Sequence, residues 1–224
     1  MFNNDTNTNI LQHANKYKYK IGAWNVNGII TKEYPENYLF KYNTIKALNF
    51  DVIFLSETFC LRDETFSISG NKIIQFNRQS VSHRSVRGSG GIAIAISNKL
   101  LSNHVVEAVY KGRQDGILAI KLRCLDNDLL IGLLANYLPP DSFHYGKDPE
   151  SFYLDNSLVY SDLSDCDLVV AGGDLNSRTR EEFDYIADLD YNTLPRTNPD
   201  LDKNSHGEYF LQFLKDNRAL ICNS

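Results

Sequence analysis

Eight short apolar runs separated by turn residues restrict the fold of this chain more than any other feature. Each run is short for a helix and rich in Val, Ile and Leu, which favours β-strands. The runs are residues 21–26, 51–57, 72–77, 91–97, 104–110, 117–123, 129–138 and 167–173. Strands are therefore predicted to outnumber helices.

Only three segments have the pattern of helices: 36–49, 149–163 and 207–218. In the last of these, apolar side chains recur at spacings of three and four. The strand, helix, strand order over 21–55 predicts a crossover connection, whereas the consecutive strands over 71–138 predict antiparallel hairpins or a meander. The sum is a mixed sandwich in which helices pack on β-sheets.

Composition narrows the class of protein. With 224 residues, 42% of them hydrophobic, the chain can bury the core of one large domain. A formal net charge of -5 argues against a protein that coats nucleic acid through its overall field, although a local basic patch is still allowed. Four cysteines without metal-site spacing indicate free thiols rather than zinc ligands or disulfides.

The N-terminal residues 1–19 have no apolar core of signal-peptide length, and their composition is that of a disordered lead-in. Every apolar run is far shorter than the roughly 20 residues that span a bilayer. The sequence therefore predicts a protein of the cytoplasm or nucleus that does not associate with membranes.

Four of the apolar runs end on polar side chains. Any one of these residues has an ordinary explanation as a turn or solvated residue. Together they offer oxygen ligands for Mg²⁺, amides for a phosphate, a carboxylate that can orient a water and a phenol. The residues are Asn25, Asn27, Glu57, Asn136, Tyr137, Asp174 and Asn176. Gly172 and Gly173, just before Asp174, would let the backbone pass close to a substrate or a neighbouring strand.

Five blocks in this order, WNVNGI, FLSET, GSGGIAIAI, NYLPP and GGDLNSR, resemble the endonuclease/exonuclease/phosphatase superfamily of the DNase I-like fold. The resemblance covers about residues 20–224. It is closest to the endonuclease domain of non-LTR, LINE-type retrotransposons, because Asn27 stands where many apurinic-repair relatives carry an acid. It implies a four-layer αββα sandwich with two facing mixed β-sheets, and it places Asn27 among the substrate-binding residues.

The resemblance also implies roles for individual residues. Glu57 would bind Mg²⁺, or Mn²⁺ in its place, and Asn25 would hold the phosphate or the water shell of the metal. Asp174 would align or deprotonate the attacking water, and Asn176 would orient that water or bind a phosphate oxygen. Tyr137 would donate to the phosphate. The implied activity is nicking of DNA by a retrotransposon-type endonuclease, with a reverse transcriptase on the same polyprotein as the expected partner.

Basic residues give two further candidates for contacts with DNA phosphates, a loop and a single arginine. Arg84 and Arg87 lie with Arg78 and His83 in a loop that either contacts DNA phosphates or is a solvated hairpin tip. Arg178 either contacts a flanking phosphate or is a surface arginine.

The resemblance ends before the aspartate on a later strand and the Ser-Asp-His-like segment with which family members close. We therefore expect a domain over 20–224 that is truncated at its C-terminus, and none of the five histidines matches the missing one. Two alternatives to a DNA-nicking enzyme remain. One is an inactive relic or nucleic-acid-binding module, and the other is a phosphodiesterase or phosphatase of the same fold acting on RNA or phospholipid.

Overall fold

The computed structural model describes residues 18–29, 35–79, 88–142, 148–184 and 200–222, with the backbone alone at 35–37. The expected lead-in at 1–19 lies almost wholly outside these residues.

Eight strands and three helices form within the described residues, and their bounds agree closely with the sequence pattern. The strands are β1 Ile21–Asn25, β2 Val52–Ser56, β3 Asn71–Phe76, β4 Ile92–Ser97, β5 His104–Lys111, β6 Ile117–Cys124, β7 Leu130–Tyr137 and β8 Leu168–Asp174. The helices are α1 Pro35–Leu48, α2 Pro149–Ser161 and α3 Ser205–Asp216. A short 3-10 helix, Leu100–Ser102, precedes β5. Helix α3 begins two residues earlier than predicted.

The strands form two sheets of four. In the first sheet the order is β1-β2-β4-β3, and in the second it is β5-β6-β7-β8. The pairs β1–β2 and β7–β8 are parallel, while all the others are antiparallel. Helix α1 connects the first parallel pair and α2 the second, so both predicted connection types are present.

Three apolar clusters explain how the elements stack. Strand β4 has the sequence Ile-Ala-Ile-Ala-Ile, and the alternation sends its three isoleucines towards the second sheet and its two alanines towards the opposite face. Ile120 and Leu133 meet those isoleucines from the second sheet. Ile45 of α1 packs behind the first sheet, and side chains of α2 and α3 pack behind the second. The predicted four-layer αββα sandwich, of the DNase I-like type, is confirmed.

The close approach of other strands requires glycine at both Gly172 and Gly173 in β8. A Cβ at Gly172 would lie 2.4 Å from the Phe54 ring of the first sheet. A Cβ at Gly173, whose φ is +142°, would lie 1.8 Å from the backbone carbonyl oxygen of Asn136. Of the two explanations that the sequence allowed, close approach of a neighbouring strand is the one seen here.

The cysteines are all free thiols, and they differ in exposure: Cys60 and Cys124 are buried, Cys166 is half-buried and Cys222 is exposed. Burial raises the pKa of Cys60 to about 12. Among the helices that the structure describes, none is long and apolar enough to cross a membrane.

We expect Gly173→Ala to lower the free energy of unfolding by roughly 3 kcal/mol or more, because the added Cβ meets main chain as well as an unfavourable φ. Gly70→Ala is the matched control. Gly70 also has a positive φ, +82°, but no atom lies within 4 Å of its added Cβ, so about 1–2 kcal/mol of strain is expected. Urea unfolding of both variants measures the difference. Equal losses would show that the approach of β8 to β7 imposes no steric limit.

Candidate functional site

The predicted site residues gather at one edge of the sandwich, where both parallel pairs end. Asn25 ends β1, and Glu57 directly follows β2 beside it. Tyr137 ends β7 and lies opposite Asp174, the last residue of β8. Because parallel strands end at the same edge, the two pairs bring one carboxylate from each sheet to this edge.

One hydrogen bond joins the sheets through Asn25 and Asp174. Asn25 Nδ2 donates to Asp174 Oδ2 at 2.8 Å. The other carboxylate oxygen, Oδ1, accepts from the backbone N–H of Asn176 at 3.1 Å. Both side chains are half-buried. The Asp174 carboxylate is therefore fixed in orientation by a donor on each oxygen.

A second hydrogen bond joins the sheets through Tyr137 and Glu57. The Tyr137 hydroxyl donates to Glu57 Oε1 at 3.0 Å. Burial raises the pKa of Tyr137, and the Glu57 carboxylate raises it further, since a phenolate beside a carboxylate is unfavourable. The phenol therefore stays protonated at neutral pH and acts as a donor.

Three site residues have left-handed backbone conformations. The φ values are +44° at Asn27, +55° at Glu57 and +48° at Asn176. Asparagine tolerates this region, but a glutamate there is uncommon. Such conformations persist where the surroundings hold them, and they cluster at functional sites.

Backbone hydrogen bonds hold the strained Glu57 segment from both sides. The Glu57 carbonyl accepts from the Gly28 N–H at 2.6 Å. On the other side, the N–H groups of Thr58 and Phe59 donate to the carbonyls of Gly91 and Gly90 at 3.2 and 2.9 Å. The Asn27–Gly28 turn on one side and the glycine-rich turn at Gly90–Gly91 on the other thus fix the direction of the Glu57 side chain.

Lys41 supports the Asn27–Gly28 turn from α1, a role that no local sequence pattern indicates. Its Nζ donates to the carbonyl oxygens of Asn27 and Gly28 at 3.1 and 2.5 Å. Burial lowers the pKa of Lys41. The backbone N–H of Asn27 donates to Asn25 Oδ1 at 3.1 Å, which connects the turn to the site asparagine. The Asn27 side chain is exposed.

Arg78 is not part of a solvated basic loop, which corrects the sequence interpretation. Its side chain is only 4% exposed and forms an ion pair with Asp115 at 3.6 Å. Its Nη1 donates to Ser89 Oγ at 3.2 Å. A Cβ at Gly90 would meet both the Arg78 guanidinium, at 2.8 Å, and the Tyr137 ring, at 3.2 Å. Arg78 and the Tyr137 ring thus both lie beside Gly90, and Arg78 is a buried cation close to the site.

The remaining residues that were predicted to contact the substrate differ in their surroundings. One amide hydrogen of Asn176 is donated to the Leu138 carbonyl at 2.9 Å, and the other hydrogen and Oδ1 have no hydrogen-bond partner among the described residues. Arg178 is exposed and forms ion pairs with Asp200 and Asp202, which favours the surface interpretation. Arg84 and Arg87 lie outside the described residues.

The described residues contain no group of three His, Cys, Asp or Glu side chains that could hold a metal. The metal ligands available at the site are hard oxygen atoms, from Glu57 first and from the Asn25 amide. Mg²⁺ suits such a sparse set, since it keeps several waters and is commonly bound by one or two carboxylates. The side chains therefore fit a weakly held Mg²⁺ or Mn²⁺ and do not fit a zinc site.

The model of the Endonuclease/Exonuclease/phosphatase family matches residues 22–205, which include every site residue described above. The chain belongs to this family. No curated protein matches the sequence of this family member.

Solved structures share the fold at low sequence identity. AP endonuclease LMAP from Leishmania major is 16% identical with a TM-score of 0.56, and the match covers 81% of this chain and 61% of that one. The Xenopus laevis APE2 catalytic domain is 19% identical with a TM-score of 0.56, covering 87% and 67%. The Neisseria 3′ phosphatase NExo, bound to a product DNA hairpin, is 16% identical with a TM-score of 0.51, covering 73% and 60%. This family member thus spans less than two thirds of the length of the Leishmania and Neisseria structures.

We expect the Tyr137–Glu57 hydrogen bond to contribute about 1–2 kcal/mol to stability, because its acceptor is charged. A double-mutant cycle of Tyr137→Phe with Glu57→Ala, measured by urea unfolding in the presence of a chelator, should give a coupling energy of that size. The control cycle pairs Glu57→Ala with Tyr160→Phe, whose half-buried ring packs in the helix layer behind the second sheet. That cycle should be additive. Coupling energies near zero in both cycles would contradict the bond.

Proposed function

We propose that this chain is a metal-dependent phosphodiester hydrolase that nicks DNA. The observation that carries the proposal is the pair of hydrogen bonds between the sheets, because they place one carboxylate from each sheet at one edge. One carboxylate can hold a cation there while the other prepares a water. The family match is consistent with this chemistry.

Glu57 is the proposed metal ligand. Its Oε1 accepts from Tyr137, and Oε2 accepts no hydrogen bond from the described residues. Asn25 Oδ1 already accepts from the backbone of Asn27, which suits contact through the water shell of the metal. When bound, Mg²⁺ would supply positive charge beside the phosphate.

Asp174 is the proposed residue for the attacking water. The donors from Asn25 and Asn176 fix both carboxylate oxygens, and each oxygen keeps a lone pair for the water hydrogen. The water oxygen forms the new bond to phosphorus, one water proton passes to Asp174, and the bond from phosphorus to the 3′ oxygen breaks. The leaving 3′ oxygen takes up a proton from solvent, and Asp174 releases its proton to solvent. The products are a 3′-hydroxyl and a 5′-phosphate.

Donors around this centre would bind the phosphate oxygens. Tyr137 keeps its proton but donates it to Glu57, so a contact with phosphate requires that bond to be exchanged. Asn25 and Asn176 each retain one amide hydrogen that no described residue accepts, and the exposed residue Asn27 lies in the turn that follows Asn25.

DNA is the favoured substrate for two reasons. The first is that the Neisseria neighbour is described as bound to a product DNA hairpin. The second is that the five sequence blocks and Asn27 resemble a retrotransposon-type endonuclease, which is the finer proposal. The net charge of -5 predicts weak binding to DNA outside the site.

The purified 224-residue chain should convert supercoiled plasmid to the nicked circle in Mg²⁺. Asp174→Asn should slow turnover by roughly 10² to 10⁴, since it removes the proton acceptor. Glu107→Gln, an exposed carboxylate on β5, is the control and should leave the rate unchanged. A folded wild-type chain that binds plasmid without cutting it would favour a nucleic-acid-binding module. Cleavage of RNA or phospholipid in place of plasmid would favour the other alternative.

Mg²⁺ should raise the thermal unfolding midpoint of the wild-type chain, because a ligand that binds only the folded state stabilises it. At tenfold excess over Kd the gain is about 1.4 kcal/mol. Glu57→Gln should lose the shift, while Glu107→Gln should keep it. An equal shift in all three proteins would show that Glu57 is not the ligand.

A further inference from the structure

The side chain of Asn204 makes three hydrogen bonds. One is to the start of α3 and two are to the GDLNSR segment, residues 173–178. Its Oδ1 accepts from the backbone N–H groups of Gly207 and Arg178, both at 2.9 Å. Its Nδ2 donates to the backbone carbonyl of Asn176 at 2.8 Å. Asn204 precedes Ser205, the first residue of α3, and is its N-cap.

The oxygen and the nitrogen of the Asn204 side-chain amide have different roles. The bond to Gly207 satisfies a free N–H at the helix start, as N-cap residues generally do. The bond from Nδ2 adds nothing to the helix. It holds the carbonyl of Asn176, a residue whose φ of +48° requires support from its surroundings.

The same Asn176 residue controls the Asp174 carboxylate, because its N–H donates to Asp174 Oδ1 at 3.1 Å. If the Asn176 backbone left the left-handed region, that N–H would turn away from the carboxylate. Of its two donors among the described residues, Asp174 would then keep the one from Asn25.

The neighbouring backbone holds Asn204 firmly against this segment. The Asn204 N–H donates to the Arg178 carbonyl at 3.2 Å, and Thr179 forms a β-bridge with Lys203. A Cβ at Gly207 would lie 1.9 Å from the Arg178 carbonyl oxygen, so only glycine permits this approach.

We infer that Asn204 is a positioning residue for Asp174, which it reaches through the backbone of Asn176. Its consequence for turnover rests on the proposed function. Asn204 does not contact the reacting atoms. It keeps the Asn176 N–H directed at the carboxylate that receives the proton of the water.

Asn204→Asp separates the two ends of the amide. Aspartate has the same shape and caps helices as well as asparagine does, so the bonds from Gly207 and Arg178 are kept. The donor to Asn176 is lost, because a second oxygen takes its place. Asn204→Ser, an uncharged capping residue too short to reach Asn176, checks that the added charge is not the cause. Asn98→Asp adds the same charge at the opposite end of β4 from the site and is the control.

Two measurements decide the inference. Amide hydrogen exchange by NMR should show the Asn176 N–H exchanging about tenfold faster or more in Asn204→Asp and Asn204→Ser, while the Gly207 N–H keeps its protection. Plasmid nicking should show kcat reduced roughly 10- to 100-fold with a smaller change in KM, since the catalytic group is misplaced while the proposed contacts from Asn25 and Asn27 remain. Asn98→Asp should match the wild type in both.

Unchanged exchange at Asn176 in both variants, or a loss of protection equally large at Gly207, would overturn the inference. The exchange measurement does not depend on turnover. Faster exchange at Asn176 alone, in a chain that cuts no plasmid in any variant, would reject the proposed function while supporting the role of Asn204 in fixing this segment.

Discussion

Two hydrogen bonds that cross between the sheets, Asn25 to Asp174 and Tyr137 to Glu57, fix the geometry on which the candidate site depends. Their partners are 149 and 80 residues apart in the chain. The layer between the sheets is otherwise packed mainly with aliphatic side chains together with aromatic rings such as Phe54, and apolar packing has no preferred direction. Directional contacts at the edge therefore determine how closely the two carboxylates face one another.

These contacts depend on backbone that is held away from its preferred conformations. Glu57 and Asn176 lie in the left-handed region, and each is held by hydrogen bonds to its main chain from other segments. Lys41 supports the Asn27–Gly28 turn on one side of Glu57. The glycine-rich turn, which lies beside Arg78, supports Glu57 from the other side. The strain is thus balanced by contacts outside the site, which makes the surrounding turns part of its architecture.

The local part of the fold could be predicted from sequence, because alternation along a strand is a property of neighbouring residues. Strand β4 shows this directly, since its Ile-Ala alternation already separates the two faces of the sheet. The helix start at Ser205 was missed although Asn204 is a favoured capping residue, so the capping rule would have found it.

Long-range contacts were not predictable in this way. The ends of parallel strands converge, so residues at those ends are expected to lie at one edge, but the particular pairing of Asn25 with Asp174 follows from the facing of two sheets. The burial of Arg78 was also missed. Its partner Asp115 lies 37 positions later, and the surrounding arginines and histidine suggested a solvated loop.

The charges at the site bear on what it can bind. Glu57 and Asp174 bring two carboxylates to one edge, and like charges in such a site repel one another and an anionic ligand. Among the described residues, Arg78 is paired with Asp115, and Lys41 is directed at the carbonyls of the Asn27–Gly28 turn. In the proposed function, a phosphodiester that approaches these carboxylates is repelled unless a cation enters with it. We propose that a divalent metal at Glu57 first lets the anionic substrate approach, and that its effect on the chemical step comes second.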